Sequence, residues 1–310
     1  MNGQLSEAHV LVVSCEDAIE AEGALVINVE PSCKRSFDGA VTLEYPLSQL
    51  TPRPPEELNE LAVTALRFAK AGSRVIVVGL GEDDDRPCFL ANALLVALKG
   101  QALLQCSLSR AQEQTLNWYV RLKELIGLEQ LHALFGVGKA YEFGSGLEHA
   151  STVANVSLDL AQAVSRGTLT HRDLKSLYVA GLLHDIGRFI SERGHEEIGV
   201  RMLMAHEDAL PGDIDADLVS FCIRHHRRHT NPENDPAVKS LGENGLILAA
   251  VVRLADAFTN VYEKEDYWGV YLSEDGITVV ARRVNKERFE SKGKLLEKIT
   301  GVKVTLRQPG

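Results

Sequence analysis

Ala180-Gly181-Leu182-Leu183-His184-Asp185-Ile186-Gly187-Arg188-Phe189 sets a histidine beside an aspartate at the end of an apolar run. Val179, Leu182, Leu183 and Ile186 read as the buried face of a helix, which puts His184 and Asp185 in or against a core. A charge left alone in that low-dielectric setting is costly, so it must be paired or metal-bound. A plainer reading is a helix end closed by Gly187, with Asp185 held by a neighbouring arginine. The dipeptide alone does not separate the two. The residues around it do.

Nine of the ten histidines lie between His132 and His229, a skew that a metal site in the second half would produce. His149 opens an amphipathic helix with Val153, Val156, Leu160 and Val164 on its apolar face. A helix over 173–187 carries His184 and Asp185, and His195 starts the next one. A helix over 217–228 brings His225 and His226. A long apolar helix over 245–262 holds Asp256 as its lone late acid. Each residue alone has a bland account: a core histidine for His149, a pair with Arg253 for Asp256, a surface position for His225 and His226. Six such coincidences on successive helices are far less probable than one. Imidazole and carboxylate without thiolate suit a borderline or hard divalent ion.

The H…HD…D order on successive helices resembles the HD superfamily of metal-dependent phosphohydrolases, at His149, His184, Asp185 and Asp256. Leu182–His195, Arg224–Arg228 and Val252–Ala257 resemble, more closely, the HD domain at the C-terminus of the exopolyphosphatase/guanosine pentaphosphatase family. That family's phosphoanhydride chemistry belongs to a separate actin-like domain that is not read in this sequence, so only the metal site is implied. His195-Glu-Glu-Ile-Gly199 is similar to a motif of HD-GYP cyclic-dinucleotide phosphodiesterases, but Arg227 stands where they have a second histidine, and the Gly-Tyr-Pro element is missing.

The resemblance implies His149, His184, Asp185, His195, His226 and Asp256 as ligands to one or two divalent ions (Mn, Mg, Fe, Co, Ni or Zn). Asp185 would bridge ions about 3.5–4 Å apart. His184 and Asp185 are the expected catalytic pair. Arg188, Arg224, Arg227 and Arg228 are the candidates for substrate phosphate, since guanidinium pairs with phosphate through two hydrogen bonds. The expected reaction is hydrolysis of a phosphomonoester or phosphodiester, with a small phosphorylated ligand, a nucleotide, as partner. The alternatives are a cyclic-dinucleotide phosphodiesterase or a non-catalytic nucleotide or phosphate sensor. Glu196 and Glu197 read as first-turn acids, and His171, His206 and His229 as surface residues.

The first half alternates strands (10–14, 24–29, 42–45, 73–78) with helices (56–70, 87–98), which predicts a small α/β domain with a partly parallel sheet. Arg74–Arg86 resembles the strand-loop-helix of dual-specificity and tyrosine phosphatases, with Arg86 at the phosphate-binding position. Leu80 replaces the nucleophilic cysteine, and Ser48 and Gln49 stand where a proton donor is expected. Without a thiolate there is no covalent intermediate, and Glu82, Asp83, Asp84 and Asp85 would repel phosphate, so an inactive copy is expected. The predicted layout has two domains: a phosphatase-like α/β domain over 1–102, a helical connector over 103–146 ended by Gly136, Gly138, Gly144 and Gly146, and an all-α HD domain over 147–265. A small α+β appendage over 266–310 is expected to pack over the mouth of the site.

A net charge of −10 argues against broad binding to nucleic acid or an anionic membrane, and no apolar run reaches the roughly 18 residues of a membrane helix. The N-terminus carries no basic signal region. Five scattered cysteines, none in a C-x-x-C pair, are expected to be reduced thiols of a cytoplasmic protein. Assembly of copies of the chain is compatible with the sequence.

Overall fold

The computed structural model describes residues 10–17, 20–30, 32–47, 54–79, 85–99, 108–165, 167–258 and 267–309. The chain divides into two compact units, Met1–His132 and Ala133–Gly310.

In the first unit, Val10–Ser14 (β1), Leu25–Asn28 (β2), Val41–Glu44 (β3) and Val75–Gly79 (β4) form a parallel sheet in the order β1-β4-β2-β3. β2 and β4 are buried at every position, as expected for continuous apolar runs covered on both faces. The two-residue period divides their side chains. Leu25, Ile27, Val75 and Val77 share one core with Leu58–Lys70 (α1) and Asp85–Lys99 (α2), to which Tyr119 of Arg110–Leu125 (α3) also belongs. Val26, Ile76 and Val78 meet Ala24, Cys33 and Phe37 on the other face. The helix expected from Glu56 begins at Leu58, because Pro55–Glu57 form a short 3-10 turn.

Three expectations for this half need correction. Cys15 and Cys33 are not free thiols but form a disulfide, with Cα atoms 6.0 Å apart. The parallel order brings the residue after β1 and the loop after β2 to the same end of the sheet. Cys88 is also disulfide-bonded, and among the described residues only the buried Cys222 is free. Thiol usage therefore no longer speaks for a reducing compartment. Arg86 is not aimed at a ligand: it is buried and donates to Glu30 Oε2 at 2.6 Å and to the Leu47 carbonyl at 3.0 Å. Leu80, Glu82–Asp84, Ser48 and Gln49 lie outside the described residues. Finally, Gly136 and Gly138 do not stop the connector. Leu128–Ala140 (α4) runs through both, because burial of Leu131, Leu134, Phe135 and Val137 outweighs the weak helix propensity of glycine.

The second unit holds a helical bundle of Leu147–Ser165 (α5), His171–Leu183 (α6), His195–Met204 (α7), Ala216–His225 (α8) and Val238–Ala255 (α9). α5 is buried on nearly every side, the mark of a central helix. α6 begins in a capping box, with Thr170 Oγ1 accepting from the Asp173 amide and Asp173 from the Thr170 amide. α9 starts earlier than expected and kinks at Gly242, whose φ is +63°. The expected residues 259–262 of this helix lie outside the described ones.

Tyr267–Ser273 (β5) and Gly276–Ala281 (β6) form a hairpin, and Val304–Arg307 (β7) pairs parallel to β6. Lys286–Thr300 (α10) connects them and packs on α9. The strands and helix agree with the α+β character expected of this appendage. β5 was not anticipated: it is an outer strand that buries only Tyr267 and is broken by a bulge, so its apolar periodicity is weak. No helix among the described residues is long and apolar enough to cross a membrane.

Candidate metal centre

The site is assembled from helix ends. His149 stands in the first turn of α5, while His184 terminates α6 and His226 terminates α8. His195 is the first residue of α7, and Asp256 ends α9. Two glycines permit this convergence. At Gly181 a Cβ would lie 2.7 Å from the Ala154 Cα, so only glycine allows α5 and α6 to approach closely enough to bring His149 to His184. Past His184 the backbone leaves helical geometry, with Asp185 at φ −105° and ψ 2°, and enters a 3-10 turn over Ile186–Phe189. A Cβ on Gly187 would lie 2.0 Å from the His195 carbonyl oxygen, so this turn fits against α7 only without a side chain.

Three of the imidazoles are oriented by one local device. Nδ1 of His184, His195 and His226 donates to the carbonyl three residues earlier, at Gly181 (2.7 Å), Glu192 (2.9 Å) and Ile223 (2.7 Å). A carbonyl only accepts, so in each ring Nδ1 carries a proton and Nε2 is the atom turned inward. His184 Nε2 is fully buried with no hydrogen-bond partner, and the Nε2 atoms of His195 and His226 lie 3.2 Å apart. Two Nε2 atoms that close can share either a proton or a cation.

Asp185 sits at the middle. Its Oδ1 is 3.1 Å from His195 Nε2 and 3.5 Å from His226 Nε2, whereas its Oδ2 is 3.6 Å from His184 Nε2 and 3.8 Å from His149 Nε2. His149, His184 and Asp185 thus form one ligand group, and Asp185, His195 and His226 a second. Asp256 Oδ1 adds a carboxylate to the first group, 3.4 Å from His149 Nε2 and 3.9 Å from His184 Nε2. All six residues named from the sequence therefore converge.

The electrostatics match a cation site. Burial depresses the His184 imidazole to about 4, aided by His226 and His149 and opposed by Asp185 and Asp256, so the ring is a neutral lone-pair donor at physiological pH. Burial alone would raise the Asp185 carboxyl, but His184, His195 and His226 overturn this and hold it far below the usual carboxylate range. Asp256 behaves alike, with His149, Lys292 and His184 offsetting its burial. Imidazoles around ionised carboxylates are the donor set a divalent ion requires, and the unpartnered His184 Nε2 supplies an empty valence.

The arginines divide. Arg188 Nη1 is 3.2 Å from Asp185 Oδ2, and its other end pairs with Glu192 at 2.6 Å. Arg224 is taken up by Glu197 (2.9 Å) and Asp235 (3.7 Å). Arg227 and Arg228 line a groove of about 730 Å³ together with Lys294 and Lys298 of α10. His225 is buried and pairs with Asp235, and Arg253 donates to the His225 and Thr230 carbonyls rather than to Asp256. Exposed His229 reaches Glu196 at 3.2 Å, His171 is exposed, and half-buried His206 bonds the Tyr141 hydroxyl.

Three contacts to the carboxylates were missed. Ser145 Oγ donates to Asp185 Oδ2, Lys292 Nζ to Asp256 Oδ2, and Arg288 to Asp256 Oδ1 at 3.0 Å. Ser145 sits among glycines with no periodicity to mark it. Lys292 did leave a signal, because it shares the apolar stripe of Phe289 and Leu296, where a lysine is out of place.

No curated protein matches the chain. The geometry nonetheless agrees with a family assignment: residues 146–261, which contain all six converging side chains, match the family model described as HD domain.

Proposed function

We propose that this chain is a metal-dependent phosphohydrolase that cleaves a phosphomonoester or phosphodiester of a nucleotide at the centre around Asp185. The HD domain over 146–261 and the His/Asp cluster support metal-dependent hydrolysis as the class of reaction. One observation carries the reading: the two oxygens of Asp185 face separate imidazole pairs, as a carboxylate shared between two cation positions would. Divalent cations held there would make water acidic enough to attack at neutral pH and would offset charge on the phosphate.

The chain's own residues do the rest. His149, His184, His195 and His226 bring their Nε2 atoms to the two oxygens of Asp185. Asp185 and Asp256 supply negative charge, and a carboxyl held so far down is a poor proton acceptor, so the role assigned to Asp185 is charge and bridging. Arg188 is only partly buried and links Asp185 to solvent, which suits it to grip a non-bridging phosphate oxygen as substrate arrives. The groove lined by Arg227, Arg228, Lys294 and Lys298 offers positive charge for the rest of an anionic substrate on a chain of net charge −10.

The test is metal content after purification, then a screen of nucleotides, cyclic dinucleotides and a generic phosphoester with Mn, Mg, Co, Ni, Fe and Zn. Metal-dependent turnover abolished in His184→Ala supports the proposal. Unchanged turnover in that variant refutes it, and tight nucleotide binding without turnover would favour a sensor.

A further inference from the structure

α10 lies outside the residues that match the HD domain, yet it makes the closest contacts to one of the six converging side chains. Lys292 is 5% exposed, and its ammonium rests on Asp256 Oδ2. Arg288, one turn earlier, donates to Asp256 Oδ1 and to its backbone carbonyl. The two cations hold the carboxylate differently. Oδ1 also faces His149 and His184, so a metal ion approaching those imidazoles meets Arg288, whose side chain is 39% exposed and has room to swing into solvent. Lys292 sits on the other oxygen and is buried, like its neighbours on α10 Phe289 and Leu296, where α10 packs on α9.

We infer that Lys292 is a positioning residue of the metal centre: by holding Asp256 Oδ2 it keeps Oδ1 turned toward His149 and His184, which makes the appended β5-β6-α10-β7 unit part of the site. This rests on the metal-centre reading above and adds that residues beyond the HD domain complete it. Outer contacts to a ligating carboxylate fix its rotamer, and losing one weakens metal binding by about 10–100-fold. A rival account follows from the same contact. If Lys292 merely occupies the cation's place, removing its charge should tighten metal binding.

The experiment is a titration of the full chain, stripped with chelator, with Mn²⁺ followed by calorimetry and electron paramagnetic resonance, and with Co²⁺ followed by its visible absorption bands. Neither readout needs turnover. Lys292→Met is expected to weaken Mn²⁺ at least about 10-fold and to alter the Co²⁺ bands. Lys292→Arg, which keeps a charged donor, should restore both, and Arg288→Ala should leave affinity unchanged or raise it. Glu290→Ala, on the exposed face of α10, is the control. Should Lys292→Met fold poorly by thermal unfolding, Lys292→Gln carries the test and should also weaken binding. Equal or tighter binding in the folded Lys292 variants overturns the inference, whereas failure of the unaltered chain to bind either ion would fail the metal-centre reading itself.

Discussion

His195 Nε2 and Asp185 Oδ1 lie 3.1 Å apart, although His195 begins one helix and Asp185 follows the end of another. The contact exists because the 3-10 turn over Ile186–Phe189 folds the chain back onto α7, while the second Asp185 oxygen, which also accepts from Ser145 and Arg188, faces His184 and His149. Replacing Asp185 with asparagine keeps the shape but removes the charge shared by both ligand groups. Asp185→Asn is expected to lower Mn²⁺ affinity by more than the roughly 10–100-fold that loss of an outer contact costs, checked by elemental analysis after dialysis.

The approach of α5 to α6 is predicted to be intolerant of a single methyl group. Gly181→Ala would place a carbon 2.7 Å from the Ala154 Cα, so the helices must part. Overpacking of this kind costs about 1–3 kcal/mol. Chemical denaturation should show that loss, with weaker metal binding as His149 moves away from His184.

Acid should loosen the first unit through Glu30. The Arg86 guanidinium and the Ser32 contacts hold the Glu30 carboxyl down at about 2, against an ordinary value of 4.5. A depressed carboxylate contributes stability that is fully present above about pH 4.5 and is lost as pH falls toward 2, here on the order of 3 kcal/mol. Glu30→Gln should flatten the fall in stability across that window, measured by denaturant midpoints at pH 5, 4 and 3. The histidine centre lies in the other unit and should be unaffected at pH 7.

Reduction separates the two units functionally. The Cys15–Cys33 bridge closes 18 residues of chain, and opening it costs about 3 kcal/mol on chain-entropy grounds. Dithiothreitol should lower the unfolding midpoint of the first unit. Mn²⁺ binding should persist, since the described metal-site residues include no cysteine.

Arg188→Ala should raise KM for a phosphoester by about 10-fold, as expected for loss of a charge-assisted hydrogen bond worth about 1.5 kcal/mol, with any loss of metal smaller than in Asp185→Asn. Steady-state kinetics beside elemental analysis checks both.

Three of the converging residues were legible because they sat in a pattern they did not belong to: an acid late in an apolar helix at Asp256, a histidine and aspartate closing another at His184 and Asp185. Local chemistry also marked the strands of the first unit, whose apolar runs need burial on both faces. The sequence was silent where a contact depends on distant chain. Nothing near Cys15 announces Cys33, since only the parallel strand order brings them together. The glycines of α4 read as breakers because the packing of Phe135 and Val137 that overrides them is tertiary. Arg86 looked like a ligand residue until Glu30 proved to be its buried partner. Lys292's place on the apolar stripe of Phe289 and Leu296 gains meaning only once Asp256 is seen opposite it.

The central claim is that Asp185 serves two cation positions, and Mn²⁺ stoichiometry by calorimetry tests it most directly. The account predicts two ions per chain for the unaltered protein, with His184→Ala and His226→Ala each losing one. One ion per chain, absence of Mn²⁺ binding, or binding indifferent to both substitutions would contradict it.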